Sequence, residues 1–220
     1  MDPRDRQTFI FHATPFRRAA IAILDILLAV IMVKRVEGLE NLPTAGPVIV
    51  AANHVTNFDV FPMQLCLPRP IFFMGKAELF KFPPFGAVLR NLGGFPVYRG
   101  EKDQWAMRHA AKVLAHGQVL GMFPEGTRSN GRGLTLAKTG VARLAIEANC
   151  RIIPICVIGS DQILRSFRRR PQVTIKLLPA LQPHPDDTPL SLTDRLMFSL
   201  AAALPDEMRG VYAETPIGFT

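Results

Sequence analysis

The sequence predicts an α/β fold, a mainly parallel or mixed sheet flanked by helices, with a separate apolar helical segment at the N-terminus. Three observations predict it. Short apolar runs alternate with amphipathic stretches over most of the chain. The residues with chemical interest fall at the carboxyl ends of those runs, where open α/β sheets collect their ligand sites. One longer apolar run, near the N-terminus, stands outside the alternation. With 220 residues, 48% of them apolar, the chain can bury a sizeable single core.

Taken in order, the N-terminal run comes first. Residues 19 to 33 read AAIAILDILLAVIMV, with Arg17 and Arg18 before them and Lys34 and Arg35 after them. The run carries Asp25 and falls short of the roughly 20 apolar residues that a spanning helix needs. A signal peptide fits poorly, because Asp2 and Asp5 lead the segment and no small-residue cleavage site precedes the second basic pair. A core helix and a tilted insertion are alternatives. The preferred reading is a helix docked in the membrane interface, its basic ends at the lipid phosphates. Residues 1–36 are therefore expected as an N-terminal segment, and 37–220 as the α/β domain.

The expected strands are PVIVAAN (47 to 53), IFFMG (71 to 75), FPVY (95 to 98), QVLGMFP (118 to 124), IIPICVIG (152 to 159) and VTIKLL (173 to 178),. Helical periodicity falls near 58 to 67, 83 to 92, 103 to 116, 136 to 149 and 191 to 208. No repeat, low-complexity tract or linker interrupts them.

Composition narrows the partners. Against 18 acidic residues stand 26 basic ones, a formal charge of +8, which favours an anionic partner. Nucleic acid lacks support, since aromatic interleaving is sparse and no helix-turn-helix or RNA-binding signature is present. Cys66, Cys150 and Cys156 form no C-x-x-C pair and lack histidines at ligand spacing, so neither a disulfide framework nor a metal site is indicated, and a reducing cytoplasmic side is inferred. Cys66 lies in the apolar stretch FPMQLCL and reads as a buried structural thiol.

After the first strand comes NHVTNFD, residues 53 to 59. On one continuous helix His54 and Asp59 would lie on different faces, so a turn must bring them together. Pro62 suits a first helical turn, which places the helix start near Asp59, where a carboxylate is favoured. Such a pair fits a general base and the acid that fixes its tautomer, although a helix cap beside an unrelated histidine would look the same. The second informative stretch is PEGTRSNGRG (124 to 133), with glycines that allow close backbone approach and Arg128 and Arg132 to grip a phosphate. It is no Walker A loop. Lys76 and Arg99 follow two further strands. Converging on the side of His54, these cations would make an anion pocket beside a base. Arg165 and the RRR at 168 to 170 form another basic cluster, either a solvated loop or a contact for anionic lipid or donor phosphates. His12, His109, His116 and His184 carry no partner pattern.

With these motifs in this order, the chain resembles the glycerolipid acyltransferase family, the lysophosphatidate acyltransferases and their relatives. The resemblance rests on the His-x4-Asp signature NHVTNFD, on GGFPVYRG with Arg99, on FPEGTRS (123 to 129) and on the proline-bearing strand around Pro154. GKAELF at Lys76 and the N-terminal apolar segment are also similar to the family pattern, while the last 60 residues match no motif. The resemblance implies transfer of a fatty acyl group from acyl-CoA or acyl carrier protein to a hydroxyl of a glycerol phosphate lipid, without a cofactor or an enzyme nucleophile. It implies His54 as general base, Asp59 as its orienting acid, and Arg99, Glu125, Gly126, Thr127 and Arg128 as phosphate-binding residues, assisted by Lys76. It also implies a lysolipid acceptor and a membrane-associated protein at the cytoplasmic face. Another lysolipid acceptor is the alternative. A non-enzymatic lipid-binding relative would be expected to lack His54 or Asp59, and both are present.

Overall fold

The computed structural model describes residues 2–98, 103–163 and 169–214. Its elements run α1 (Pro15–Ile31), β1 (Val33–Glu37), β2 (Val48–Ala52), α2 (Val60–Cys66), β3 (Ile71–Lys76), α3 (Pro83–Asn91), β4 (Gly94–Val97), α4 (Gln104–Ala115), β5 (Val119–Met122), α5 (Gly140–Glu147), β6 (Arg151–Ile158), β7 (Gln172–Leu177) and α6 (Pro189–Ala203). The strands form one seven-stranded sheet in the order β1-β7-β6-β2-β5-β3-β4. Every pairing is parallel except β6 with β7, so the sheet is mixed and mainly parallel. The central strands are nearly all apolar because both of their faces are covered.

The two faces have separate cores. On one, α2 sets Met63 and Leu67 against Val48, Val50, Ile153 and Ile155. On the other, α4, α5 and α6 bury Ala110, Val141, Ala145 and Leu196 against Ile49, Leu120 and Ile152. The helix after β2 thus covers one face and the helix after the neighbouring β5 covers the other. Between two such strands the connecting chains part in opposite directions and leave a crevice at the carboxyl end of the sheet. His54 follows β2, and the PEGTR stretch follows β5.

The N-terminal segment is woven into the body of the domain. Residues 33 to 36, expected within that segment, belong to β1, an edge strand held in parallel register by β7 from Val33↔Gln172 to Glu37↔Lys176. VKRVE is too short and too charged to announce itself, and pairing with β7 supplies what its own pattern lacks. Upstream, Arg4 is buried and paired with Asp2 and Asp103, each at 2.6 Å, with its guanidinium between the rings of Tyr98 and Trp105. These hydrogen-bonded carboxylates hold the Arg4 guanidinium well above its ordinary range, and Asp103 also caps α4 through the Ala106 N–H. Behind them His109 lies among Phe9, Phe95 and Trp105, and burial pushes its imidazole down to about 4.

Helix α1 starts at the Thr14 cap, whose hydroxyl accepts from the Arg17 N–H. It packs Leu24, Leu28 and Met32 against Phe58, Phe61 and Leu65 and so rests on the outside of α2. Its opposite side leaves Ile26 and Val30 each 70% exposed, beside exposed Ile23 and Leu27. Among the described residues no helix is long and apolar enough to cross a membrane.

Candidate active site

Asn53 launches the site. Its side chain bonds both ways with the Val157 backbone, Nδ2 donating to the carbonyl at 2.9 Å and Oδ1 accepting from the N–H at 2.7 Å. A side chain thereby continues the β2–β6 ladder for one more residue, and the main chain is free to turn at His54. In that turn the Asp59 Oδ2 accepts from the N–H groups of Val55 at 2.7 Å and Thr56 at 2.9 Å. The same oxygen lies 2.8 Å from His54 Nδ1. An oxygen that already accepts from two N–H groups takes its third contact from a donor, so the ring proton sits on Nδ1. This leaves Nε2 as the basic nitrogen.

The position of Asp59 differs in detail from the sequence expectation. It precedes α2, as expected, but its backbone is already helical and its side chain makes no cap bond. The carboxylate turns back, because the 54–56 turn offers it two backbone donors, an imidazole and the Thr56 hydroxyl at 3.2 Å. Ser160, two residues beyond β6, donates its hydroxyl to Asp59 Oδ1 at 2.5 Å. Asp59 is 0% and Ser160 1% exposed, so this network is dry and fully satisfied.

The FPEGTRS stretch closes around the histidine. The Phe123 ring stacks on the imidazole at 3.9 Å between centroids and 15° between planes. Glu125 Oε1 accepts from the His54 N–H at 2.8 Å, and the Ser129 N–H donates to the His54 carbonyl at 2.8 Å. His54 is thus clipped by both its backbone groups to the loop after β5. Here the structure corrects the sequence reading of Glu125. That residue was expected among the phosphate-binding groups, yet it is 2% exposed, and its other oxygen accepts from the Thr135 N–H and hydroxyl, both at 2.9 Å. A carboxylate would repel a phosphate; this one ties two motifs together. The same anchoring explains why the helix expected from 136 begins only at Gly140, since Thr135 is held by Glu125 and the Lys138 N–H by the Pro124 carbonyl.

Gly126 and Thr127 sit on the exposed crest of the loop with Arg128 and Arg132. Gly126 has φ 65°, and a Cβ there would lie 3.2 Å from the Lys138 side chain. The left-handed backbone favours glycine there, while a Cβ would press only on the flexible end of Lys138,. Lys76 ends β3, exposed, with Nζ 3.7 Å from Glu78. Because β6, β2, β5 and β3 are adjacent, Ser160, His54, the PEGTR loop and Lys76 emerge side by side at one edge of the sheet. Arg99, Arg165 and Arg168 lie outside the described residues. Cys66 is no thiolate nucleophile, since burial pushes its thiol up to about 11.

This arrangement can be compared with known proteins. The family model described as Acyltransferase matches residues 33–158. The chain belongs to the acyltransferase family. A 1-acyl-sn-glycerol-3-phosphate acyltransferase of Escherichia coli is 34% identical over 141 residues, 62% of this chain and 57% of that protein. One of Chlamydomonas reinhardtii is 30% identical over 184 residues, 80% of this chain and 54% of its own. The chain spans about half the length of these curated relatives. A crystal structure of the 1-acyl-sn-glycerophosphate acyltransferase PlsC from Thermotoga maritima superposes with a TM-score of 0.65 at 23% identity, covering 82% of this chain and 78% of that one. It shares the fold.

Within this acyltransferase-family chain, sequence reasoning missed three participants. Phe123 was seen only as part of a motif, and its stacking on the base depends on strand order. Lys138 reaches the crest through its contact with Gly126, though nothing in its local sequence sets it apart from a solvated lysine. Ser160 follows the proline-bearing strand, and only the β2–β6 pairing brings it to Asp59. For Ser160→Ala, a hydrogen bond worth ~1 kcal/mol is lost, and kcat is expected to fall about fivefold. Steady-state assays should show the acceptor KM unchanged and Ser160→Thr partly restored; an unaltered kcat for the alanine variant would remove Ser160 from the network.

Proposed function

We propose that this protein transfers a fatty acyl group from an acyl thioester to the free hydroxyl of 1-acylglycerol 3-phosphate, forming phosphatidate. The observation that carries the reading is the buried His54–Asp59 pair, with Nδ1 engaged at 2.8 Å; exposed Arg128 and Arg132 in the loop after β5 and Lys76 at the end of β3 support a phosphate-bearing acceptor. The names of the relatives support the same acceptor. His54 Nε2 takes the proton of the acceptor hydroxyl as its oxygen attacks the thioester carbonyl. The tetrahedral intermediate expels the thiolate, and the proton on the imidazole passes to the departing sulfur, so that acid and base are both restored. No acyl-enzyme is required. The donor is acyl-CoA or an acylated carrier protein, and the outer face of α1 docks the enzyme on an anionic membrane at its cytoplasmic side, where the acceptor is presented.

The test is an acceptor panel with purified protein, a labelled acyl thioester and mixed micelles. Transfer to 1-acylglycerol 3-phosphate above other lysolipids is expected; preference for a lysolipid without a terminal phosphate would reassign the acceptor. For Arg128→Ala, loss of a charge-assisted bond of ~1.5–3 kcal/mol should lower kcat/KM for the phosphate-bearing acceptor roughly 10- to 100-fold. Slow hydrolysis of the thioester in the same preparation should be unchanged. Equal losses in both reactions would place Arg128 in the fold or the donor site.

A further inference from the structure

We propose that the crossover between β3 and β4, from Leu79 to Val88, is a second seat on an anionic bilayer, on the same side of the sheet as α1. The inference rests on the reading of α1 as membrane-docked and adds a separate element to it. Phe82 is 66% exposed, Phe85 and Leu79 47%, and Val88 40%. These side chains are not needed inside. The inward anchor of the segment is Phe80, whose ring lies over Gly75 and Gly94, while a Cβ on Gly86 would come within 2.6 Å of the Phe80 carbonyl. With the core side closed by that contact, Phe82 and Phe85 stand outward, and Pro83 and Pro84 at the start of α3 stiffen the backbone that presents them.

Why a bilayer is favoured over a protein follows from the surroundings. Phe80 packs on the same side of the sheet as Phe73 and α2, the side on which α1 rests. The two elements also meet. Arg17, in the first turn of α1, is 2% exposed and donates to the Ile71 carbonyl. A Cβ on Gly93, two residues past α3, would sit 2.0 Å from its Nη1. This junction ties the start of α1 to the far end of the connection that carries the exposed Leu79, Phe82, Phe85 and Val88. The exposed cations beside them, Arg18 next to Phe16 and Lys81 between Leu79 and Phe82, suit the phosphate level of an anionic surface with the phenylalanines beneath it. Lys76 lies three residues before Leu79. A seated crossover would thus hold this edge of the site at the headgroup level, where a lysolipid stands with its phosphate outward.

The experiment uses the full chain and phosphatidylcholine–phosphatidylglycerol vesicles. In Phe82→Trp, indole emission should shift to the blue on adding vesicles and be quenched when the lipid chains carry bromine; the wild type supplies the background of buried Trp105. In the double variant Phe82→Ser/Phe85→Ser, vesicle partitioning measured by sedimentation should fall roughly 10- to 100-fold. Turnover of a monomeric short-chain acceptor should stay at the wild-type level. Ile26→Ser/Leu27→Ser is run beside it. If that α1 variant loses vesicle binding while the crossover variant keeps it and the new indole is unquenched, the second seat is wrong and α1 stands alone, with the crossover face left to a protein partner. If the α1 variant binds as the wild type does, the α1 reading itself fails. A crossover variant that loses monomeric turnover as well would make the segment structural and overturn the proposal.

Discussion

His54→Ala is expected to lower kcat by about 10²- to 10⁴-fold while the acceptor still binds. The imidazole is the group whose free nitrogen faces away from Asp59, and without it the hydroxyl must attack without a base. The main-chain clip should survive the change, because Glu125 and Ser129 hold the backbone of residue 54 and not its side chain. The variant should therefore fold, and its melting temperature should stay within a few degrees of the wild type, the lost stacking on Phe123 being the main cost. Retained activity in a properly folded His54→Ala protein would overturn the base assignment.

Asp59 acts on both catalysis and stability, and two substitutions separate them. In Asp59→Asn the amide oxygen can still face Val55, Thr56 and the imidazole, and the amide nitrogen can donate to the hydroxyls of Thr56 and Ser160. Geometry is largely kept, but the negative charge that offsets the imidazolium formed during attack is gone. A loss of ~10²–10⁴ in kcat is expected, the upper bound being that of the comparable exchange in a serine protease. Asp59→Ala removes the acceptor from two backbone N–H groups and two hydroxyls in a site that is 0% exposed. Each buried unmet donor costs ~1–3 kcal/mol, so this variant should lose at least 3 kcal/mol, read by urea denaturation. An alanine variant as stable as the wild type would show that water replaces the carboxylate without penalty.

Much of this was legible before the structure. The six strands expected beyond residue 37 are all present, because fully covered strands must be nearly continuous in apolar residues, and IIPICVIG or PVIVAAN can hardly be anything else. Lost were the features that depend on pairing across the sheet. β1 is one, with VKRVE stabilised by its neighbour. The sequence order of NHVTNFD and PEGTR pointed to one site, since each follows a strand, but Glu125 looked like a ligand residue when it is a brace. Charge and motif position cannot reveal that both carboxylate oxygens are already engaged. Ser160 was invisible for the same reason: a serine after a strand means little until β6 is known to lie beside β2.

The clip between β2 and β5 has a consequence for how such a chain can diversify. His54 is fastened across the sheet to Glu125 and Ser129 as well as along the chain to Asp59. The stretch from Leu67 to Gln118, with Lys76 and the exposed crossover, therefore forms a cassette bounded by the two halves of the reaction centre. Exposed side chains of that stretch can change without touching the His54–Asp59 pair or its clip, provided β3 keeps its pairing with β5. Variation at Lys76 and along the crossover can thus proceed at one edge of the site while Arg128, α1 and the base stay in place.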